Sequence, residues 1–131
     1  DTKGNVGILA ANEVEGGTYG LVTSALKRKG FNIVFPVGLE KLIPNPIRAA
    51  TREALRTQLD YSMGLTCSLI PCQGGTVVTE VEAIRILSGA TAVPIAAGGL
   101  AGAEGAITLV IKGETEQVNQ AIEYVVCLRC A

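Results

Sequence analysis

Thr91-Ala-Val-Pro-Ile-Ala-Ala97 is an apolar run, followed by Gly98-Gly-Leu-Ala-Gly-Ala-Glu-Gly-Ala106 and then by a second apolar run, Ile107-Thr-Leu-Val-Ile111. Both runs read as strands. The nine residues between them fall short of a parallel crossover, which needs about a dozen and usually a helix. The second strand is therefore expected to return antiparallel to the first through a glycine-rich loop. This connection sets the expected topology.

Upstream, Val6-Gly-Ile-Leu-Ala-Ala11 is a continuous apolar stretch of the kind buried on both faces of a parallel sheet. Thr18 to Lys29 is amphipathic and predicts a helix with Leu21, Val22, Ala25 and Leu26 facing inward. Its closing cations Lys27, Arg28 and Lys29 suit the helix dipole, and Gly30 suits the position just past the end. Asn32 to Val37 is the next expected strand, limited by Pro36. Asn45 as N-cap and Pro46 as first helical residue predict a helix from about Ile47 to about Met63, closed by Gly64. Thr66 to Cys72 then reads as a strand, and Thr76 to Leu87 as a helix burying Val77, Val81, Ile84 and Leu87 before Gly89. A last helix is expected from Glu114 to about Leu128, with Val118, Ala121, Ile122 and Val125 on one face. Together these predict a single α/β domain over residues 1–131. Its architecture would be a three-layer α/β/α sandwich around a five-stranded, mostly parallel sheet of order 3-2-1-4-5, with the last strand antiparallel.

Composition excludes several functions. The 131 residues are 48% hydrophobic and 18% charged, which argues against disorder. A net charge of -1 leaves no basic excess for nucleic acid, and the absence of Trp leaves few aromatic platforms for bases. Histidine is absent, so neither a serine–histidine nor a cysteine–histidine nucleophile can be built. No stretch approaches the roughly 20 apolar residues of a membrane span, and the polar Asp1-Thr-Lys-Gly-Asn5 carries no signal-peptide pattern. A cytoplasmic protein without cofactor or metal is the expectation.

Two Gly-Gly-Thr turns are the leading candidate sites. Gly16, Gly17 and Thr18 follow the first expected strand, and Gly74, Gly75 and Thr76 follow the third; each is expected to open a helix. Glycine pairs let backbone approach an anion, and free N–H groups at a helix start point toward it. Neither turn is a nucleotide fingerprint, since Gly-x-Gly-x-x-Gly and the lysine of a phosphate loop are both missing. Gly98, Gly99 and Glu104 form the third candidate, with Glu104 the one ionisable group of its loop and the weak candidate for acid/base catalysis. Glu13, Glu15, Glu80 and Glu82 cluster near the two turns. Arg48, Arg52 and Arg56 form a basic helical stripe, read as solvated surface. Cys67, Cys72, Cys127 and Cys130 read as ordinary cysteines: Cys127-x-x-Cys130 closes a helix, whereas a redox pair opens one.

The strand–glycine turn–helix–strand opening and the reversed final strand resemble the C-terminal domain of pyruvate kinase. Ala96-Ala97-Gly98-Gly99, Gly102-Ala103-Glu104 and Ala106 to Ile111 also resemble a stretch in small stand-alone prokaryotic proteins of that superfamily. The resemblance implies the three-layer sandwich with an antiparallel edge strand. It also implies an effector-phosphate site at Gly16, Gly17 and Thr18, although the kinase turn carries more hydroxyl side chains. A further stretch, Gly113 through Tyr124, is similar to microcompartment shell proteins. The expected function is binding of a small anionic or phosphorylated metabolite at the glycine turns, without catalysis and as a homo-oligomer. A glutamate-based acid/base enzyme and a non-catalytic subunit of a larger assembly are the alternatives.

Overall fold

The computed structural model describes residues 5–11, 17–49, 59–72 and 74–129. The chain forms two compact units, one of residues 1–35 and 42–77 and the other of residues 36–41 and 78–131.

In the first unit, Val6–Ala10 (β1) pairs antiparallel with Ser68–Cys72 (β3), with Val6 opposite Cys72 and Ile8 opposite Ile70. Gly17–Arg28 is a helix (α1). It ends as the cations and Gly30 suggest: the Gly30 amide donates to the Lys27 carbonyl and the Phe31 amide to the Leu26 carbonyl. A single helical turn, Pro46–Arg48 (α2), packs on β1 and β3. Asn45 caps it by accepting the Arg48 amide at 2.9 Å. Residues 50–58, with Arg52 and Arg56, lie outside the described residues, and residues 59–63 are not helical.

Val34–Pro36 (β2) and Thr76–Val78 (β4) form a short parallel pair, and the division between the units falls within it. In the second unit, Glu80–Ser88 (α3) leads to Thr91–Ala97 (β5), Ile107–Lys112 (β6) and Thr115–Arg129 (α4). β5 and β6 are antiparallel, with a bulge between Pro94 and Ala96. α3 packs on β5, α4 on β6, and the two helices on each other. Ile84, Ala90, Ala92 and Ala121 are the buried centre, with Val81, Leu109 and Ile111 around it. Three of those four are alanines, which let helix and strand backbones approach closely. Burying Ile84 contributes about 1.5–3 kcal/mol.

The five-stranded parallel sheet of order 3-2-1-4-5 is therefore not formed, nor is the three-layer sandwich that the family resemblance implies. The strands pair two by two, and two of the three pairs are antiparallel. An apolar run reports a need for burial and says nothing about pairing direction. Between β1 and β3 the chain is long enough to return either way. Only the nine-residue connection from β5 to β6 dictates a direction, and there the antiparallel pair forms. β2 has three residues and ends at Pro36, which has no N–H to extend a ladder. Nor is β1 buried on both faces: Leu9 exposes 69% of its surface.

A second correction concerns α3, expected from Thr76. The β-branched Thr76-Val77-Val78 run is strand, and the helix starts four residues later behind a capping box. Thr79 Oγ1 accepts the Val81 amide at 3.3 Å, and Glu82 reaches back to accept the Thr79 amide at 3.0 Å.

Candidate functional site

The apolar face of α1 is largely left in solvent, and a different face lines a cavity. Leu21 and Val22 are about half exposed (53% and 50%), whereas Gly20 is buried. Gly20, Thr23, Ser24 and Lys27, spaced i, i+3, i+4, i+7, line a cavity of about 240 Å³. Ile8 of β1 and Ile70, Pro71 and Cys72 of β3 form its other wall. A polar stripe facing a strand pair runs against helical patterning, and such local conflicts concentrate at functional sites.

Lys27 occupies the last turn of α1, where the helix carbonyls favour a cation. Its Cε stands 4.0 Å from the position a Cβ would take on Gly74, so the ammonium stem runs beside that glycine. Among the described residues no carboxylate pairs with Lys27, and no group bonds the Ser24 hydroxyl. Thr23 Oγ1 donates to the Gly20 carbonyl at 3.1 Å. Burial pushes the Cys72 thiol above its ordinary value, opposed in part by the Lys27 charge and a bond from the Ile8 backbone. The cavity therefore carries a neutral sulfhydryl rather than a thiolate nucleophile.

Of the sequence candidates, Gly16 lies outside the described residues, as do Glu13 and Glu15, while Gly17 opens α1 and Thr18 is exposed. Gly74 has φ +75° and lies against the Lys27 stem. Gly75 and Thr76 serve packing and pairing. A Cβ on Gly75 would meet the Phe35 ring at 2.2 Å, and the Thr76 amide donates to the Ile33 carbonyl at 2.8 Å. That amide was expected to be free for an anion; it is engaged because Thr76 begins a strand. At α3 the capping box likewise takes up the Thr79 and Val81 amides.

Gly98, Gly99 and Glu104 lie in the second unit. The Gly98 amide closes the hairpin on the Ala106 carbonyl at 2.8 Å, and a Cβ on Gly99 would stand 2.4 Å from the Ala103 carbonyl oxygen. Glu104 Oε1 accepts the Gly102 amide at 3.2 Å. Its own backbone N–H and that of Gly102 hold this exposed carboxyl below the usual carboxylate range, so it is ionised at neutral pH. That is the reverse of what a general acid needs. Glu80 accepts the Leu39 amide at 2.9 Å and fastens the turn Leu39–Lys41 to α3. Among the described residues no cluster of cysteines and carboxylates could hold a metal ion, and no helix is long and apolar enough to cross a membrane.

Lys27, Ser24 and Thr23 were not among the expected site residues. Lys27 reads from sequence as a helix-ending cation; the i, i+3, i+4, i+7 polar stripe Gly20-Thr23-Ser24-Lys27 was the available signal. No protein-family model, no curated protein and no solved structure matches the chain.

Proposed function

We propose that the protein is a cytoplasmic binder of a small anionic metabolite, held in the cavity between α1 and the β1–β3 pair, with no chemistry of its own. One observation carries this reading: a lysine without a carboxylate partner among the described residues stands over a cavity, beside a glycine turn and an unbonded serine hydroxyl. The ammonium supplies charge, and Ser24, one helical turn away, supplies a second donor. A thiol held protonated offers no nucleophile, which favours binding over catalysis. Thermal unfolding in the presence of small carboxylates and inorganic phosphate tests the reading. A ligand at ten times its Kd adds about 1.4 kcal/mol of stability. Lys27→Met should remove most of that gain; stabilisation by no anion, or one untouched by Lys27→Met, refutes the proposal.

A second reading, a subunit of a homo-oligomeric assembly, is favoured by α4. Ile122, Val125 and Val126, at i, i+3 and i+4, expose 49%, 45% and 53% of their surfaces. An apolar stripe of this kind is what an interface core uses. Sedimentation decides it: a species of one chain's mass at all concentrations would remove this reading.

A further inference from the structure

The cavity also discriminates among anions, and three features point to the same class. Charge comes first. Lys27 is the single charged lining group among the described residues. A phosphate monoester brings about −1.5 to −2 at neutral pH, so one ammonium leaves it undercompensated, whereas a carboxylate is matched. The last turn of α1 adds to this, because its carbonyls favour cations and disfavour surplus negative charge.

Donor geometry comes next. Ser24 and Lys27 lie at i and i+3 on the cavity face of α1, and the Thr23 hydroxyl already donates to the Gly20 carbonyl. Two donors suit the two oxygens of a carboxylate; a phosphoryl group presents three oxygens to satisfy.

Size and polarity complete the case. The opposite wall is made of Ile8, Ile70, Pro71 and Cys72, of which Ile8 and Ile70 are register partners that share one face of the strand pair. A 150 Å³ cavity accommodates benzene, so about 240 Å³ holds on the order of ten non-hydrogen atoms by proportion. Hexose phosphates exceed that.

We propose that the cavity takes a short, branched aliphatic monocarboxylate. Its oxygens rest on Lys27 and Ser24 and its hydrocarbon body lies against Ile8, Ile70 and Pro71, while phosphate and phosphate esters are poor ligands. This rests on the reading of the cavity as an anion site and names its ligand class.

The test uses the full chain at pH 7 with 3-methylbutanoate and inorganic phosphate as probes. Calorimetry gives affinity, and mass mapping of cysteines labelled with iodoacetamide in a separate alkaline pulse, where part of the Cys72 thiol ionises, reports cavity occupancy. The expected result is binding of 3-methylbutanoate at least about tenfold tighter than phosphate, with Cys72 protected and exposed Cys127 unprotected. Lys27→Met should weaken the carboxylate about tenfold or more, as loss of a charged hydrogen bond does, and Lys27→Arg should restore most of it. Lys27 is on the exposed side of the burial range, so these variants keep the fold. Phosphate binding as tightly as the carboxylate, in a Lys27-dependent manner, overturns the ligand class and leaves the anion site standing. Binding of neither probe, with no protection of Cys72, overturns both. Carboxylate binding indifferent to Lys27→Met overturns the placement of the site.

Discussion

Gly75→Ala asks why a glycine stands in the second Gly-Gly-Thr turn. A Cβ there would lie 2.2 Å from Phe35 Cε2, 2.6 Å from Cδ2 and 3.1 Å from the Ile33 carbonyl oxygen. That oxygen cannot retreat cheaply, because it accepts the Thr76 amide at 2.8 Å. The Phe35 ring must therefore give way, and forced repacking of this kind costs about 1–3 kcal/mol. Gly75 is not in the left-handed region, so none of the cost is dihedral strain. Restricting the unfolded chain returns about 0.4–1 kcal/mol, which leaves a net loss of about 1–2 kcal/mol. Urea titration should show the midpoint lowered by roughly 0.5–1 M with an unchanged slope. Phe35→Ala in the same chain should absorb most of the added penalty, because it removes the obstructing ring. Affinity for a small anion should stay near wild type, since Lys27 and Ser24 are untouched. A variant as stable as wild type within about 0.5 kcal/mol, yet unable to bind an anion, would show that the glycine exists for ligand approach and that the packing argument is wrong.

Four further outcomes are expected. Ser88→Ala should cost about 1–3 kcal/mol, because the Ser88 hydroxyl accepts the amide of fully buried Ala90 at 3.2 Å; denaturation and faster hydrogen exchange at Ala90 check it. Thr79→Ala should cost about 0.5–2 kcal/mol through loss of the α3 cap, measured the same way. The pH dependence of that cap has a definite sign. The Thr79 hydroxyl, then the Thr79 amide, hold the Glu82 carboxyl below its ordinary value. Its contribution is fully present above the unfolded carboxylate value and is lost as pH falls through the lower folded one, so wild type and Glu82→Gln should converge in acid. Ala101→Gly should be neutral or stabilising by up to about 1 kcal/mol, since Ala101 holds φ +54° in the β5–β6 loop; a loss of 1 kcal/mol or more on thermal unfolding would contradict that strain.

Part of the cap and turn chemistry was legible, whereas Gly64, expected to close a helix, follows residues that are not helical. Asn45 and Pro46 mark the start of α2, Gly30 and Gly89 close α1 and α3, and Thr91–Ala97 with the reversed Ile107–Lys112 follow from apolar runs and one short connection. The start of α3 was legible too, in Thr79-x-x-Glu82, but the Gly-Gly-Thr motif upstream competes with it. The site was far less visible. Lys27 gains its meaning from Gly74 and Cys72, more than forty positions away along the chain.

Local rules reach a few residues in each direction, so the sequence alone determined several helix caps, the hairpin return after β5 and which chemistries lack their residues. Strand partnership is a long-range choice between nearly equivalent apolar runs, and only the tertiary structure decided that β1 meets β3 head to tail. Which face of α1 lines the cavity was decided at the same level. Its apolar stripe and its Gly20-Thr23-Ser24-Lys27 stripe both have helical spacing, and only the folded chain shows that the polar one lines the cavity opposite β1 and β3.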